Sequence, residues 1–219
     1  TSPKKKPKRG YAPPETYAHL AALNDYLAPG LDVVFCGINP GYMSAERGHH
    51  FCNPTNHFYR CLHASGFTPT RIPPTEDHTL PERFNLGLTN LVERPSTEAG
   101  ELSPAEMAAS VPALLTKIAH VRPRIVCFVG MGIARVVLSA LRGQAFATAA
   151  SPDVGLQPFK LVYHPPPSET LFFVSPSTSG RVTRFQATDK EKIFRDLKDT
   201  LEKLKTGALD TSRMAVIDI

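Results

Sequence analysis

The chain has 219 residues, the length of one domain with tails and enough to bury a core without disulfide or metal cross-links. Hydrophobic residues make up 42% of it and charged residues 21%, which is typical of a globular protein. Its longest apolar runs, residues 33–38 and 125–133, are too short to cross a membrane, so we expect no membrane partner.

The net charge of +5 comes from one short segment near the start of the chain, because residues 10–219 hold 20 basic and 20 acidic side chains. A basic, proline-rich segment without an apolar stretch favours disorder and argues against a signal peptide. We expect residues 1–14 to be a tail that directs the protein to the nucleus or tethers it to DNA; a solvated chain end is the alternative. Its positive side chains are Lys4, Lys5, Lys6, Lys8 and Arg9.

The four cysteines predict a reduced protein rather than one linked by disulfides. None forms a CxxC pair, and Cys36 and Cys127 lie inside apolar runs of the kind that form buried strands. We therefore expect a cytosolic or nuclear compartment.

Hydrophobic periodicity and turn residues predict the elements of the first half of the chain. Thr55 is the expected cap of the second helix. In chain order the pattern predicts a helix over 14–27, a strand over 31–38, a polar loop to 54, a helix from 55 to 66, an irregular segment over 67–84 and a strand over 84–92.

Two apparent capping boxes, Ser103–Glu106 and Thr188–Glu191, mark the starts of two helices in the second half. The pattern there predicts a helix from 104 to 121, a strand over 124–130, a helix over 131–141, strands over 160–163 and 170–175, and a last helix that ends near 205.

Apolar strands that alternate with amphipathic helices predict an α/β fold with a parallel sheet covered on both faces. We expect one domain over residues 15–205, followed by an extension over 206–219 in which no periodicity is visible. Such sheets bind ligands at the carboxyl ends of their strands. Three polar loops, residues 39–56, 90–96 and 175–181, follow predicted strands and should meet there.

The first two loops carry polar motifs but no signature of a nucleotide or metal site. Residues 37–41 (GINPG) lack both the dinucleotide fingerprint and the phosphate-loop lysine, so an ordinary turn and a close approach to a ligand both remain possible. The His and Cys residues between His49 and His63 match no standard spacing for zinc, a deaminase or an iron–sulfur cluster. We therefore expect no metal and no cofactor.

Four motifs occur in a fixed order: GINPG, then GHHF with NHF, then TNLVER, then PSTSGR. Together they resemble the mismatch-specific uracil/thymine-DNA glycosylases of the uracil-DNA glycosylase superfamily, over roughly residues 31–204. The resemblance implies a three-layer α/β/α sandwich and a monomer that acts on double-stranded DNA. It also implies hydrolysis of the N-glycosidic bond of uracil or thymine mispaired with guanine, which leaves an abasic site.

The resemblance implies that Asn39 positions the attacking water and that Ser96 helps to hold that water; an ordinary loop serine is the alternative for Ser96. An amide is not a base at neutral pH, so it can only orient water by hydrogen bonding, and the chemistry should be slow. Slow chemistry favours bases that mispairing has already loosened. Because the motif lacks a lysine nucleophile, we expect no strand cleavage at the abasic site.

Five further residues match the base pocket of the family. Phe51 would stack on the flipped base, Asn90 would contact the base edge, and His50 would lie near its 5-position. Asn56 would lie in the pocket, although a role at a helix start is the alternative. Ser44 stands where thymine-excising relatives have alanine, which puts thymine activity in more doubt than uracil activity.

The loop after the last predicted strand matches the segment that the family inserts into DNA. Ser177, Thr178 and Ser179 would grip phosphates, and Arg181 would enter the gap left by the flipped nucleotide. Without the resemblance, the same residues indicate a surface turn.

Two other functions remain open. The first is a glycosylase that prefers uracil or etheno bases and has weak thymine activity, as Ser44 suggests. The second is a mismatch-DNA-binding module without catalysis, against which the intact Asn39 and Phe51 argue. A third possibility, a nucleotide-binding α/β protein unrelated to DNA, is disfavoured because the sequence contains no phosphate-loop motif.

Overall fold

A computed structural model describes residues 10–142, 152–164 and 168–217. The expectations for the basic segment, including Lys4, Lys5 and Lys6, lie outside the described residues. The strands are β1 (Val33–Gly37), β2 (Leu86–Asn90), β3 (Ile125–Val129), β4 (Gly155–Tyr163), β5 (Ser168–Ser175) and β6 (Ala215–Ile217). The helices are α1 (Tyr42–Arg47), α2 (Phe58–Ala64), α3 (Leu80–Phe84), α4 (Pro104–Val121), α5 (Met131–Arg142) and α6 (Ala187–Lys205).

The strands form one sheet in the order β2-β1-β3-β5-β4-β6. The first four are mutually parallel, β4 is antiparallel to β5, and β6 is parallel to β4. Alternate side chains of β3 lie on opposite faces of the sheet. Ile125 and Cys127 pack with α2 and α6, whereas Val126 and Phe128 pack with α4 and α5. The expected α/β fold with helices on both faces is confirmed.

The sheet takes in part of the segment that the sequence set apart as a C-terminal extension. Residues 215–217 pair with residues 159–161 of β4 and extend the sheet by one short strand. Three residues are too few for a visible alternation of polar and apolar side chains, so periodicity could not indicate this strand.

The helix expected over residues 14–27 is wrong. A short 3-10 turn, Pro14–Tyr17, is followed by irregular chain, and Tyr26 then exchanges two backbone hydrogen bonds with Leu88 of the edge strand β2, at 2.9 and 3.0 Å. The apolar residues at helical spacing therefore belong to a segment whose backbone hydrogen-bonds to the edge strand of the sheet. This tertiary pairing overrides the helical propensity of the segment.

The starts of two helices also differ from expectation. Helix α2 begins at Phe58 rather than after a Thr55 cap, because Asn56 Oδ1 accepts the Phe58 amide at 2.9 Å. Helix α6 begins at Ala187, and the Gln186 amide donates to Asp189 Oδ2 at 2.8 Å, which replaces the expected box at Thr188–Glu191. The Ser103 cap of α4 is confirmed, since its hydroxyl accepts the Glu106 amide at 3.1 Å.

Two short helices, α1 and α3, lie where the sequence predicted a polar loop and an irregular segment. Neither is longer than six residues, too short for helical periodicity to be seen. All four cysteines are unpaired and buried. In the described ranges, no helix combines the length and apolarity needed to cross a bilayer.

Candidate active site

A cavity of about 1060 Å³ opens at the carboxyl ends of the parallel strands β1, β2, β3 and β5. The loops that follow these strands line it, as expected for a parallel sheet. Outside the basic tail, every residue that the sequence singled out borders this cavity: Asn39, Ser44, His50, Phe51, Asn56, Asn90, Ser96, Ser177, Thr178, Ser179 and Arg181.

The loops after β1 and β2 run side by side because their pairing continues beyond the sheet. Backbone amides of Leu91 and Val92 donate to the carbonyls of Gly37 and Ile38, each at 2.9 Å, and the Ser96 amide donates to Pro40 at 3.1 Å. This alignment places Ser96 next to Asn39, although the two are 57 residues apart in the chain.

The side-chain amide of Asn39 has a fixed orientation. Its Nδ2 donates to the Arg94 carbonyl at 2.9 Å and to Ser96 Oγ at 2.8 Å. A carbonyl can only accept, so both amide protons are used and Oδ1 is the acceptor that remains. No residue of the described chain donates to Oδ1, so this oxygen can bind a water or a ligand in the cavity.

Ser96 holds Asn39 in place. Its hydroxyl is nearly inaccessible, at 1% exposure, and donates to the Glu98 carbonyl at 2.9 Å while it accepts from Asn39. The structure therefore favours an indirect contribution of Ser96, through the orientation of the Asn39 amide.

A partly buried ion pair anchors the loop that supplies these partners. Arg94 Nε and Nη2 donate to the two carboxylate oxygens of Glu106 on α4, at 2.6 and 2.8 Å. The hydrogen bonds from Arg94 hold the pKa of Glu106 below its ordinary value. The sequence indicated Glu106 only as part of a helix cap, and it gave no signal that Arg94 would be its partner.

Phe51 adopts a strained backbone conformation at the rim of the cavity. Its φ of 52° lies in the left-handed region, which costs a non-glycine residue about 1–3 kcal/mol. Its ring stacks on Phe58 with centroids 4.1 Å apart and an interplanar angle of 20°. A flat apolar ring therefore borders the cavity on a rigid, buried support.

Asp77 fixes the backbone next to Phe51. Its carboxylate is fully buried and accepts from the His50 amide at 2.8 Å and from His49 Nδ1 at 3.1 Å. Tyr59 adds a hydrogen bond to the His50 carbonyl at 2.9 Å. The sequence missed Asp77, because it lies in the segment expected to be irregular and belongs to none of the four motifs.

The burial and the hydrogen bond of His50 indicate a neutral ring with its proton on Nε2. Only 2% of its surface is exposed, and Nε2 lies 2.8 Å from the Asn24 carbonyl. Since a carbonyl only accepts, Nε2 carries the proton and Nδ1 is an acceptor. Burial lowers the pKa of His50, which keeps the ring neutral.

The amide of Asn90 is buried and available to a ligand. Asn90 is 8% exposed, it ends β2 opposite Gly37, and its side chain has no hydrogen-bond partner in the described part of the chain. A Cβ atom at Gly37 would lie 2.5 Å from Asn90 Oδ1, so any larger residue at position 37 would displace the Asn90 amide. An amide offers both donors and an acceptor, which suits the edge of a nucleobase.

Two other pocket residues have local structural partners. Asn56 Oδ1 is engaged at the start of α2, as the alternative for this residue anticipated. Ser44, on α1, is 7% exposed, and its backbone carbonyl accepts the His49 amide at 3.1 Å. Both residues also border the cavity.

The loop of residues 177–182 crosses from β5 towards the loop after β2. Arg181 Nη1 lies 3.3 Å from the Thr97 carbonyl and 3.3 Å from Glu98 Oε1. The Arg181 side chain is 64% exposed, so this ion pair is weak and easily exchanged for another anion. The Thr178 hydroxyl is buried without a partner among the described residues, so a phosphate contact from it would require the loop to move.

Apart from Glu98, Arg181 and Arg184, the polar side chains that line the cavity carry amides, hydroxyls and the His50 imidazole. In the parts of the chain that the structure describes, no three His, Cys, Asp or Glu side chains are grouped so that they could hold a metal ion. The arrangement can orient a water, stack a planar ring and hydrogen-bond to its edge.

Two comparisons bear on this site. Residues 24–198 match the model of the uracil DNA glycosylase superfamily. The fold is similar to the solution NMR structure of a protein from Methanosarcina acetivorans that is provisionally described as a uracil DNA glycosylase, with a TM-score of 0.50 and 19% identity. The match covers 81% of this chain and 98% of that one.

The lowered pKa values of two imidazoles predict how stability depends on pH. Burial lowers the pKa values of His50 and His57 below the ordinary 6.5. The unfolded chain therefore binds protons first as the pH falls, and the free energy of unfolding should decrease below about pH 6.5, by up to about 1.4 kcal/mol per pH unit for each histidine. Urea unfolding at pH 7.5, 6.5 and 5.5 measures this slope. His50→Asn should make it shallower, whereas replacing the exposed His120 should not; equal slopes in both variants would refute the assignment.

Proposed function

The chain belongs to the uracil DNA glycosylase superfamily, and we propose that it is a mismatch-specific member that releases uracil and thymine paired with guanine. Superfamily membership supports DNA glycosylase activity, the hydrolysis of the bond between a base and its deoxyribose. The observation that carries the finer proposal is the Asn39 amide, whose two protons are tied to Arg94 and Ser96 while Oδ1 remains an acceptor.

Asn39 Oδ1 would orient the attacking water by accepting a hydrogen bond from it. The water oxygen then bonds to the anomeric carbon, and the bond to the base breaks with its electron pair leaving on the base. Asn39 takes no proton, so the proton of the attacking water passes to solvent. Its contribution is positional: a fixed amide costs no reorganisation when the reaction occurs.

The flipped base would be bound by three groups of different chemistry. The Phe51 ring offers a stacking surface worth roughly 1–3 kcal/mol per base. The unpartnered Asn90 amide can both donate to and accept from a pyrimidine edge, and His50 Nδ1 is an acceptor on the same cavity.

Preference for mismatches follows from the weakness of the catalytic group. Asn39 carries no charge and cannot stabilise the cationic sugar as a carboxylate would, so the chemical step is slow. Mispaired bases leave the stack at lower cost than paired ones and reach the pocket more often. Arg181 would fill the gap left in the duplex, since its exposed ion pair with Glu98 is readily broken.

We further propose that the protein acts as a monomer and that its basic tail targets the nucleus or adds affinity for DNA. The rest of the chain is neutral by count and has no net field to attract phosphates.

Replacing Asn39 by alanine tests the mechanism. Single-turnover base release from a G·U duplex should fall by about 10²–10⁴-fold, because the water loses its orienting acceptor. Duplex affinity should change little. Asn24→Ala is the matched control, since Asn24 contacts His50 through its backbone carbonyl and the variant keeps that bond. Release that persists in Asn39→Ala would contradict the role of Asn39, and binding without release by the unmodified protein would favour the non-catalytic module.

Ser44→Ala tests which pyrimidine the pocket favours. A hydroxyl facing the 5-methyl group of thymine is a poor contact, so alanine should raise the G·T rate relative to the G·U rate by up to about tenfold. The ratio of the two single-turnover rates is the measurement. An unchanged ratio would mean that Ser44 does not face the 5-position; excision of uracil or etheno bases with no thymine release by either protein would support the uracil-preferring alternative.

Strand cleavage should be absent. No lysine is found among the described residues that line the cavity, so no amine is placed to form a Schiff base with the abasic sugar. Incubation with an abasic duplex, followed by denaturing electrophoresis without alkali, should show an intact strand. Nicking that borohydride converts into a covalent adduct would refute the monofunctional assignment.

A further inference from the structure

Lys190 is the feature of the described structure that the proposed mechanism leaves unused. It lies in the first turn of α6, and its side chain is fully buried. Its Nζ donates to the carbonyls of Ser179 at 3.0 Å and Val182 at 3.2 Å. Within the described ranges no Asp or Glu side chain forms an ion pair with it, and burial lowers its pKa.

A lysine in this position is costly for stability alone. Lysine is almost never fully buried without a paired charge, because removing the ammonium from water is unfavourable. An apolar side chain of similar length would fill the same space without that cost. The hydrogen bonds to the two carbonyls are therefore the property that distinguishes Lys190 from an apolar residue.

Both acceptors belong to the loop that carries Arg181. The loop has two other fixed points: the His57 amide donates to the Thr178 carbonyl at 2.9 Å, and Gly180 packs so closely on Thr55 that a Cβ would lie 2.6 Å from the Thr55 carbonyl. Thr178 Oγ1 and His57 Nδ1 are buried there without partners among the described residues. The other side-chain hydrogen bonds of the loop are long: Ser177 Oγ and Ser179 Oγ each accept a loop amide at 3.3 Å, and Arg181 Nη1 contacts its two acceptors at 3.3 Å. Lys190 makes shorter contacts and bridges the carbonyls on either side of Gly180 and Arg181.

We propose that Lys190 is a positioning residue that holds residues 179–182 in the conformation from which Arg181 enters duplex DNA. It acts through the loop backbone and touches neither the base nor the sugar. The DNA-inserting role of this loop rests on the proposed function. The restraint by Lys190 is a property of the free protein and does not depend on that function.

The restraint is tested first in the free protein. Lys190→Met removes the donors and keeps an unbranched side chain, and Lys192→Met changes an exposed lysine of the same helix that pairs with Asp196. Amide hydrogen exchange in residues 177–183 should become at least tenfold faster in Lys190→Met only, while the melting temperature stays within a few degrees. Unchanged exchange would overturn the proposal.

The consequence for DNA is tested by binding, which does not depend on catalysis. Affinity is measured for a G·U duplex whose uridine carries a 2′-fluorine that prevents cleavage, and for the corresponding single strand. Lys190→Met should weaken duplex binding by about the same factor as Arg181→Ala and leave single-strand binding within twofold, because a single strand has no gap to fill.

The outcomes separate the possible roles of Lys190. Equal losses on duplex and single strand, or a large drop in melting temperature, would indicate a general structural role and overturn the proposal. Faster exchange without loss of duplex affinity would also overturn it. Should Lys190→Met fail to fold, Lys190→Gln, which keeps an N–H donor with shorter reach, should show the same changes at smaller size. Failure of the unmodified protein to release uracil would refute the proposed function, whereas the exchange and binding results would still decide the role of Lys190.

Discussion

The site depends on the continued pairing of two parallel strands beyond the edge of the sheet. After β1 and β2 end, backbone hydrogen bonds keep residues 37–40 beside residues 91–96. The Arg94 carbonyl and the Ser96 hydroxyl then reach the Asn39 amide, 55 and 57 residues away in the chain. Because a carbonyl accepts only, this contact decides which end of the amide faces the cavity. The chemistry proposed for Asn39 needs that orientation.

A charged side chain anchors each of three loops around the cavity, and two of these side chains, Asp77 and Lys190, are fully buried. Asp77 holds the segment before Phe51, Glu106 holds Arg94, and Lys190 holds the loop that carries Arg181. Each desolvated charge reduces stability unless it is fully hydrogen-bonded. These charged groups restrain the loops from outside the cavity. The residues that line the cavity therefore remain available to a ligand. Preorganisation of this kind supports catalysis by position.

The electrostatic character of the site is consistent with the slow, selective base excision that we propose. Around the cavity the polar groups proposed to meet the attacking water or the base are neutral: the amide of Asn39 for the water, and the amide of Asn90 and the imidazole of His50, whose pKa burial lowers, for the base. The charged Arg181 lies at the exposed rim in an ion pair that is weak in water. Under the proposed function, recognition of a loosened base and insertion into the duplex would supply the selectivity for mismatches.

The sequence alone determined the α/β class, five of the six strands found among the described residues and eleven of the residues that border the cavity, because apolar runs and ordered motifs are local signals. The tertiary structure decided the rest. Tyr26 pairs with Leu88 rather than forming a helix, since an open sheet edge stabilises extended backbone more than helical propensity stabilises a short helix. The anchoring roles of Asp77, Arg94 and Lys190 depend on hydrogen-bond partners that only the folded chain brings next to them. Hydrogen-bond partners of buried groups depend on how the chain folds back on itself, and no spacing along the sequence encodes them.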